Sequence, residues 1–420
     1  MRSLQTIPYK RRLVLAACLL GLVSGLAGIF LHYLLELVEG LAFGRSEHQS
    51  SFLTDAVTSS RIWLSLFLVG ASSALVWYLL QRKGNILSIK GQMKEEPSRT
   101  RLHFLKQMLH STWQIIAVGA GAPVGKEGAP REIGALLATP LGRVLDLSFK
   151  DRIFLIACGA GAGLAAVYQV PLTSVFFTFE TLGLAFSMKR FVLAGITTYV
   201  AAYTAGWVIS DRALYQVPEI IWSPTVLWQM VIGIVILTPV AWLFARFTKK
   251  AANHRIKDKR MLITLPLAFV FLAGLASFQP HLLGNGRMMA QEILNGATWQ
   301  TILLLFTLKA LVVLLTFRAG AYGGTLTPSF ALGMAGAALI SLVLGVGNTP
   351  AFFLLGSVCF LTVTLKAPLS ATGLVLGFTG QGLTALPYLL LTAFLTVGFS
   401  KGLDHLIGKK IKESPVDKIQ

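Results

Sequence analysis

GAGAPVGKEGAPREIGALL runs from Gly119 to Leu137 and sets Lys126, Glu127, Arg131 and Glu132 inside a glycine-rich apolar run. The rest of the chain explains why that is unusual. Of 420 residues 54% are hydrophobic and 13% charged, with a mean hydropathy of +0.68. A soluble domain carries about a quarter charged residues, so this composition predicts a chain of several membrane spans. A charge at bilayer depth is costly, and one kept there marks an ion or proton path.

Working outward, apolar blocks recur at 13–37, 62–80, 153–179, 190–208, 226–245, 261–278, 301–317, 330–346, 351–365 and 386–399. The long ones can cross about 30 Å of hydrocarbon as helices of about 20 residues. They lack the alternation of a barrel, so the fold class is all-α and polytopic. Lys10-Arg11-Arg12 before the first block resembles a signal peptide, but the block continues past residue 30 without a small-residue cleavage site and reads as a retained first helix.

The net charge of +19 is not a nucleic-acid signal. Lys and Arg collect in Arg2–Arg12, Arg82–Lys106, Lys249–Arg260 and Lys401–Lys418. That is the distribution of cytoplasmic loops, and it places both termini in the cytoplasm of a cell-membrane protein. The segments 44–60 and 211–223 hold fewer cations and read as the opposite face. The organisation expected is a cytoplasmic N-terminus (1–12), a first membrane repeat (13–210), an external connection (211–224), a second repeat (225–405) and a cytoplasmic tail (406–420). Cys18, Cys158 and Cys359 lie in apolar runs and read as small core residues. The His residues form no ligand cluster, so no metal and no cofactor is expected.

The repeat is the best structural clue. Gly125-Lys126-Glu127-Gly128-Ala129-Pro130 is followed by Pro171-Leu172-Thr173-Ser174, and Gly323-Gly324-Thr325-Leu326-Thr327-Pro328 by Pro368-Leu369-Ser370-Ala371, at nearly the same separation. Gly/Pro-interrupted apolar segments at matching places in two halves point to a site between inverted repeats. A half-helix beginning at such a break aims its free N–H groups and positive dipole end at the cavity. Converging ends make an anion site without a formal positive charge. Glu127 then competes with the anion: ionised it can occupy the site, protonated it is neutral and can swing away. Its protonation should depend on whether an anion is bound. The bland alternative is a buried ion pair with Lys126 or Arg131.

These residues resemble the CLC chloride channel and transporter family. GKEGAP (125–130) is similar to that family's GREGP signature, and GGTLTP (323–328) stands in place of GxFxP. ACGAGAGLAAVYQVPLTSVFFTFE (157–180) and LKAPLSATGLVL (365–376) extend the match in order. The resemblance implies a fold of two inverted-topology repeats with discontinuous, tilted helices, and a homodimer in the lipid bilayer with one pathway per subunit. It implies that Glu127 is the gate and that an anion is held around Gly125, Lys126, Glu127, Gly128 and Ala129, and around Gly324, Thr325, Leu326 and Thr327. Chloride is the implied anion.

Three departures follow. The family's first anion loop, GSGIP, is replaced by Gly84-Asn85-Ile86-Leu87-Ser88 when SIKG (88–91) is matched to EIEG, so its serine falls on Gly84 or Asn85. The tyrosine that caps the central site has no counterpart after Tyr388. Proton-coupled members carry an inner glutamate after the position of Glu180, and here that place is Thr181. Glu180 and Thr181 are the candidates for a proton path; without the inner carboxylate the sequence supports anion permeation better than anion/proton exchange, and both channel and exchanger remain open. The fluoride-exporting branch, with its Asn-bearing glycine turn, is the alternative. The sequence stops at Gln420, so the paired nucleotide-binding regulatory domains of some relatives are not expected. A membrane-embedded enzyme would need a nucleophile with a base or a metal cluster, and no HExxH or Asp-pair motif is present. A receptor-like protein would leave the duplicated breaks unaccounted for.

Overall fold

The computed structural model describes residues 7–44, 57–82, 84, 86–95, 101–209, 213–218, 220, 222–345 and 349–412. They form sixteen α-helices in two sets of eight. The first set is α1 (Tyr9–Phe43), α2 (Ser59–Arg82), α3 (Ile89–Glu95), α4 (Arg101–Gly119), α5 (Gly128–Val144), α6 (Phe149–Tyr168), α7 (Pro171–Leu182) and α8 (Met188–Gly206). The second is α9 (Pro224–Asn253), α10 (Met261–Ala276), α11 (Arg287–Leu294), α12 (Trp299–Ala319), α13 (Leu326–Leu344), α14 (Thr349–Leu365), α15 (Pro368–Thr379) and α16 (Leu386–Lys412). Seven helices among the described residues are long and apolar enough to cross a membrane. At about 1.5 Å per residue, α7 and α15 cannot cross about 30 Å and are half-helices. The first helix is one uninterrupted run of 35 residues, as a retained span requires. It begins before residue 13, and α16 continues past residue 405.

The two sets match in detail. Pro171 and Pro368 begin α7 and α15, where a missing N–H costs nothing. Just before each, Gln169 (φ 54°) and Lys366 (φ 55°) take the left-handed conformation that turns the chain back from α6 and α14. The inner helices cross through glycine. A Cβ on Gly134 would meet Gly159 O at 2.0 Å, and one on Gly333 would meet Gly356 O at 2.6 Å. Without a hydrophobic force between helices in lipid, this close backbone approach provides the dispersion contact that holds α5 on α6 and α13 on α14. The sets meet where Gly125 and Gly324 exchange both backbone hydrogen bonds, each 2.8 Å, in an antiparallel bridge. That is the geometry of two strands related by a two-fold axis between inverted repeats. Leu, Ile, Val and Phe side chains on α1, α2, α8, α9 and α16 face outward, as a lipid-bathed rim requires.

Candidate functional site

α4 and α12 stop at Gly119 and Ala319, and the chain runs irregularly for eight and six residues before α5 and α13 begin. The first broken segment is buried throughout and the second is buried at Gly320 and Ala321 and half-buried from Tyr322 to Thr325, so both are shielded by protein, the condition under which a membrane tolerates them. The Gly125–Gly324 bridge brings the two helix starts together. Glu127 is the N-cap residue of α5 and is 0% exposed. Its carboxylate reaches across to α13, where Oε1 accepts the Leu326 N–H at 2.6 Å and Oε2 the Thr327 hydroxyl at 3.3 Å. Leu326 is the first residue of α13, so its N–H has no partner inside the helix. A carboxylate there is an anion on a helix N-terminus.

The glycines are shaped by that carboxylate. A Cβ on Gly324 would lie 1.9 Å from Glu127 Oε1, and one on Gly125 2.2 Å from both carboxylate oxygens. Gly128 opens α5 against the Gln114 side-chain oxygen. Ala129 follows, its methyl in a cluster with Leu31, Leu35, Ile115 and Ile133. Lys126 is buried beside the turn, and Thr325 is the N-cap residue of α13. So Gly125, Lys126, Glu127, Gly128, Ala129, Gly324, Thr325, Leu326 and Thr327 converge as the repeat predicts. Gly84 follows α2 with φ 134°, and Asn85 lies outside the described residues. The loop after Gly84 is tied by Gln107, whose amide accepts the Leu87 N–H at 3.1 Å and donates to Leu87 O at 2.9 Å.

Glu180 and Thr181 end α7 and sit at another helix start. The Glu180 carboxylate accepts the N–H groups of Leu369 (3.0 Å) and Ser370 (2.8 Å), together with the Ser370 hydroxyl. Thr181 turns its hydroxyl onto Phe177 O within its own helix.

Sequence reasoning missed a polar group one turn along α5 from Glu127. Glu132 Oε2 accepts from Ser111 Oγ at 2.9 Å and Gln114 Nε2 at 2.8 Å, and His110 Nε2 stands 3.9 Å away. The His110 ring meets the edge of Tyr322 at 4.5 Å. Tyr322 donates to Gln81 Oε1 at 2.8 Å, and the Arg255 guanidinium lies 3.8 Å over its ring. The signal was legible: Gln107, His110, Ser111 and Gln114 recur at helical spacing along one face of α4, and all are buried.

Known proteins match this chain along most of its length. The family described as voltage-gated chloride channel matches residues 69–401. An H(+)/Cl(-) exchange transporter ClcA of Vibrio cholerae is 27% identical over 425 residues, covering 91% of this chain and 85% of that protein. The ClcA of Vibrio campbellii is 25% identical, covering 89% and 83%. Among solved structures, a slow cyanobacterial Cl-/H+ antiporter superposes with a TM-score of 0.80 at 20% identity, covering 93% of this chain and 95% of that one. A CLC-type fluoride/proton antiporter gives 0.72 at 20% identity, with the same coverage.

Proposed function

Since this chain belongs to the voltage-gated chloride channel family, we propose that it exchanges chloride for protons across the cell membrane, with Glu127 as the gate. The observation that carries this reading is the Glu127 carboxylate on the Leu326 N–H. An ionised Glu127 holds the place an anion would take. Protonation removes the charge that holds it on the dipole of α13, and chloride then takes over the freed N–H. Exchange is favoured over channel conduction because the ClcA proteins, at 25% and 27% identity, are named as exchange transporters.

The site comprises the residues that converge on the two helix starts; Gly84 and Asn85 remain candidates from the sequence, Asn85 lying outside the described residues. Thr181 offers no carboxyl for protons, and Glu180 serves as a cap on α15. The two repeats span 13–210 and 225–405 with an external connection, and both termini lie in the cytoplasm with the basic loops. Two copies pair as a dimer in the bilayer. The basic segments serve the cytoplasmic membrane face, with no role for nucleic acid.

The test is proton movement in liposomes with an imposed chloride gradient, no initial pH gradient, and the voltage clamped at zero by a potassium ionophore. Uphill proton movement is expected. Chloride movement without protons would make the protein a channel. If chloride does not move and fluoride does in the same vesicles, the anion assignment fails while the family fold stands.

A further inference from the structure

Arg131 and Glu132 are the charges of the opening stretch that the gate does not use. Arg131 lays its guanidinium 4.5 Å over the Phe177 ring of α7. Glu132 stands instead in the polar group with Ser111, Gln114 and His110, and its side chain is 20% exposed while that of His110 is 1% exposed. α5 packs against α1, α4 and α6.

The position of Glu132 along the membrane is fixed by what α5 leads to. α5 runs from Glu127 to the turn that Arg12 holds, through bonds to Leu145 O at 3.1 Å and the Asp146 carboxylate at 3.4 Å. Its far end therefore lies on the basic face, beside the start of α1. Glu132 stands between the gate and that face. Among the described residues Glu36 and Glu39 do not, and Glu180, whose helix ends in the cluster of Leu13, Leu145 and Leu147 on the same side, is already occupied. Glu36 and Glu39 sit on the outer part of α1, and Glu39 lines a cavity with Phe43, Pro280, Leu283 and Met288 at the opposite end. Glu180 is engaged on α15.

An open depression on the basic face lies two ring contacts away from Glu132. His254, Arg255, Lys257, Asp258, Arg260 and Arg318 line a cavity of about 430 Å³ in the α9–α10 connection. The carboxylate in that lining is held by Arg260, whose hydrogen bonds keep the Asp258 carboxyl below the ordinary range. Arg255, at the inner wall, lies against Tyr322, and Tyr322 against His110. On the other side Gln114 joins Glu132 to the gate, because its amide nitrogen donates to Glu132 and its oxygen packs on Gly128, the residue after Glu127.

We propose that Glu132 is the inner proton-carrying residue of this transporter, in the role that Thr181 cannot fill. This rests on the exchanger reading above. A hydronium ion on the basic face breaks one O–H bond, leaving water, as an O–H bond forms on the Glu132 carboxylate. That bond breaks as one forms on Glu127, and the negative charge passes from Glu127 to Glu132. Neutral Glu127 leaves the Leu326 N–H and an anion enters. The groups that face the carboxyl throughout are His110, Ser111 and Gln114 of α4, with Arg131 beside it and Tyr322 and Arg255 behind His110.

The experiment is the proton-to-chloride ratio in the liposome assay. Glu132→Gln keeps the shape and both hydrogen-bonding partners but cannot carry a proton as an acid. It should lose proton movement to the level of protein-free liposomes while chloride still moves. Glu132→Asp, which keeps the carboxyl, should restore proton movement. An unchanged ratio in E132Q, or equal uncoupling in E132D and E132Q, would overturn the assignment. If E132Q does not yield a folded protein, Gln114→Leu cuts the link to Gly128 with both carboxyls in place, and its ratio should fall; an unchanged ratio there is equally fatal. A wild-type protein that moves chloride without protons would sink the exchanger reading and this inference with it. Wild-type coupling that survives in E132Q sinks the inference alone.

Discussion

The starts of α13 and α15 are each held by a carboxylate from the first repeat, and the two grips differ. Glu127 holds one backbone N–H and one hydroxyl at 3.3 Å, is fully buried, and lies between two glycines that leave room for it. Glu180 holds two backbone N–H groups and a hydroxyl, and no glycine among the described residues faces it. Hydrogen bonds to a charged group contribute about 1.5–3 kcal/mol each. Glu127 also takes its own backbone N–H, so the difference lies in the grip on the partner helix: two donors on α13 against three on α15. On the proposed function, the same chemistry serves as a movable gate at one helix start and a fixed cap at the other.

The largest test of that contrast is Glu127→Ala. Chloride flux should persist or rise and lose its dependence on pH, and proton transport should vanish. In the wild type, flux should rise as pH falls, because protonation removes the charge that holds the gate closed. Abolished chloride flux in a folded E127A protein would break the comparison.

Gly324→Ala comes next. Its Cβ would lie 1.9 Å from the carboxylate, so Glu127 cannot sit on α13. The variant should behave like E127A in flux assays, and adding E127A to it should change nothing further. A double variant that differs from G324A would show that the methyl acts on something other than the gate.

Thr327→Val removes the weaker bond alone. At 3.3 Å this bond belongs at the low end for a bond to a charged group, about 1.5 kcal/mol, or about a 10-fold shift toward the open gate. Chloride flux at fixed pH should rise by about that factor, and the residual pH dependence should remain. Glu180→Gln should give the smallest change in transport, with the proton-to-chloride ratio unchanged. It should lower the unfolding midpoint in detergent, because α15 loses a charged cap worth about 1.5–3 kcal/mol. A lost ratio in E180Q would show that this carboxylate carries protons as well.

Much of this was legible beforehand, for identifiable reasons. The glycine and proline breaks name their own positions, because no other residues interrupt a helix so readily in an apolar run. So α5 and α13 begin within GKEGAP and GGTLTP, and α7 and α15 begin on their prolines. Glu127 stood out because a carboxylate in such a break either pairs with a neighbouring cation or rests on a helix start, and both mark it. Glu132 was left aside because its partners lie far from it in sequence. Ser111 and Gln114 are on another helix, and Tyr322 and Arg255 come from the second repeat and its connection. The polar stripe on α4 was visible as spacing, but spacing does not say what a stripe faces.

By itself the sequence determined the membrane class, the duplicated halves, the four broken helix starts and the carboxylate in the first of them. These follow from composition, periodicity and the conformational limits of glycine and proline, which act over a few residues. Only the tertiary structure decided that the Glu127 carboxylate takes its hydrogen bonds from the start of α13, that Glu180 takes those of α15, and that Glu132 gathers a polar group with Ser111 and Gln114 of α4. Those outcomes depend on how the two repeats meet at Gly125 and Gly324. Which donor a buried carboxylate finds is set by the neighbour that packing brings within about 3 Å.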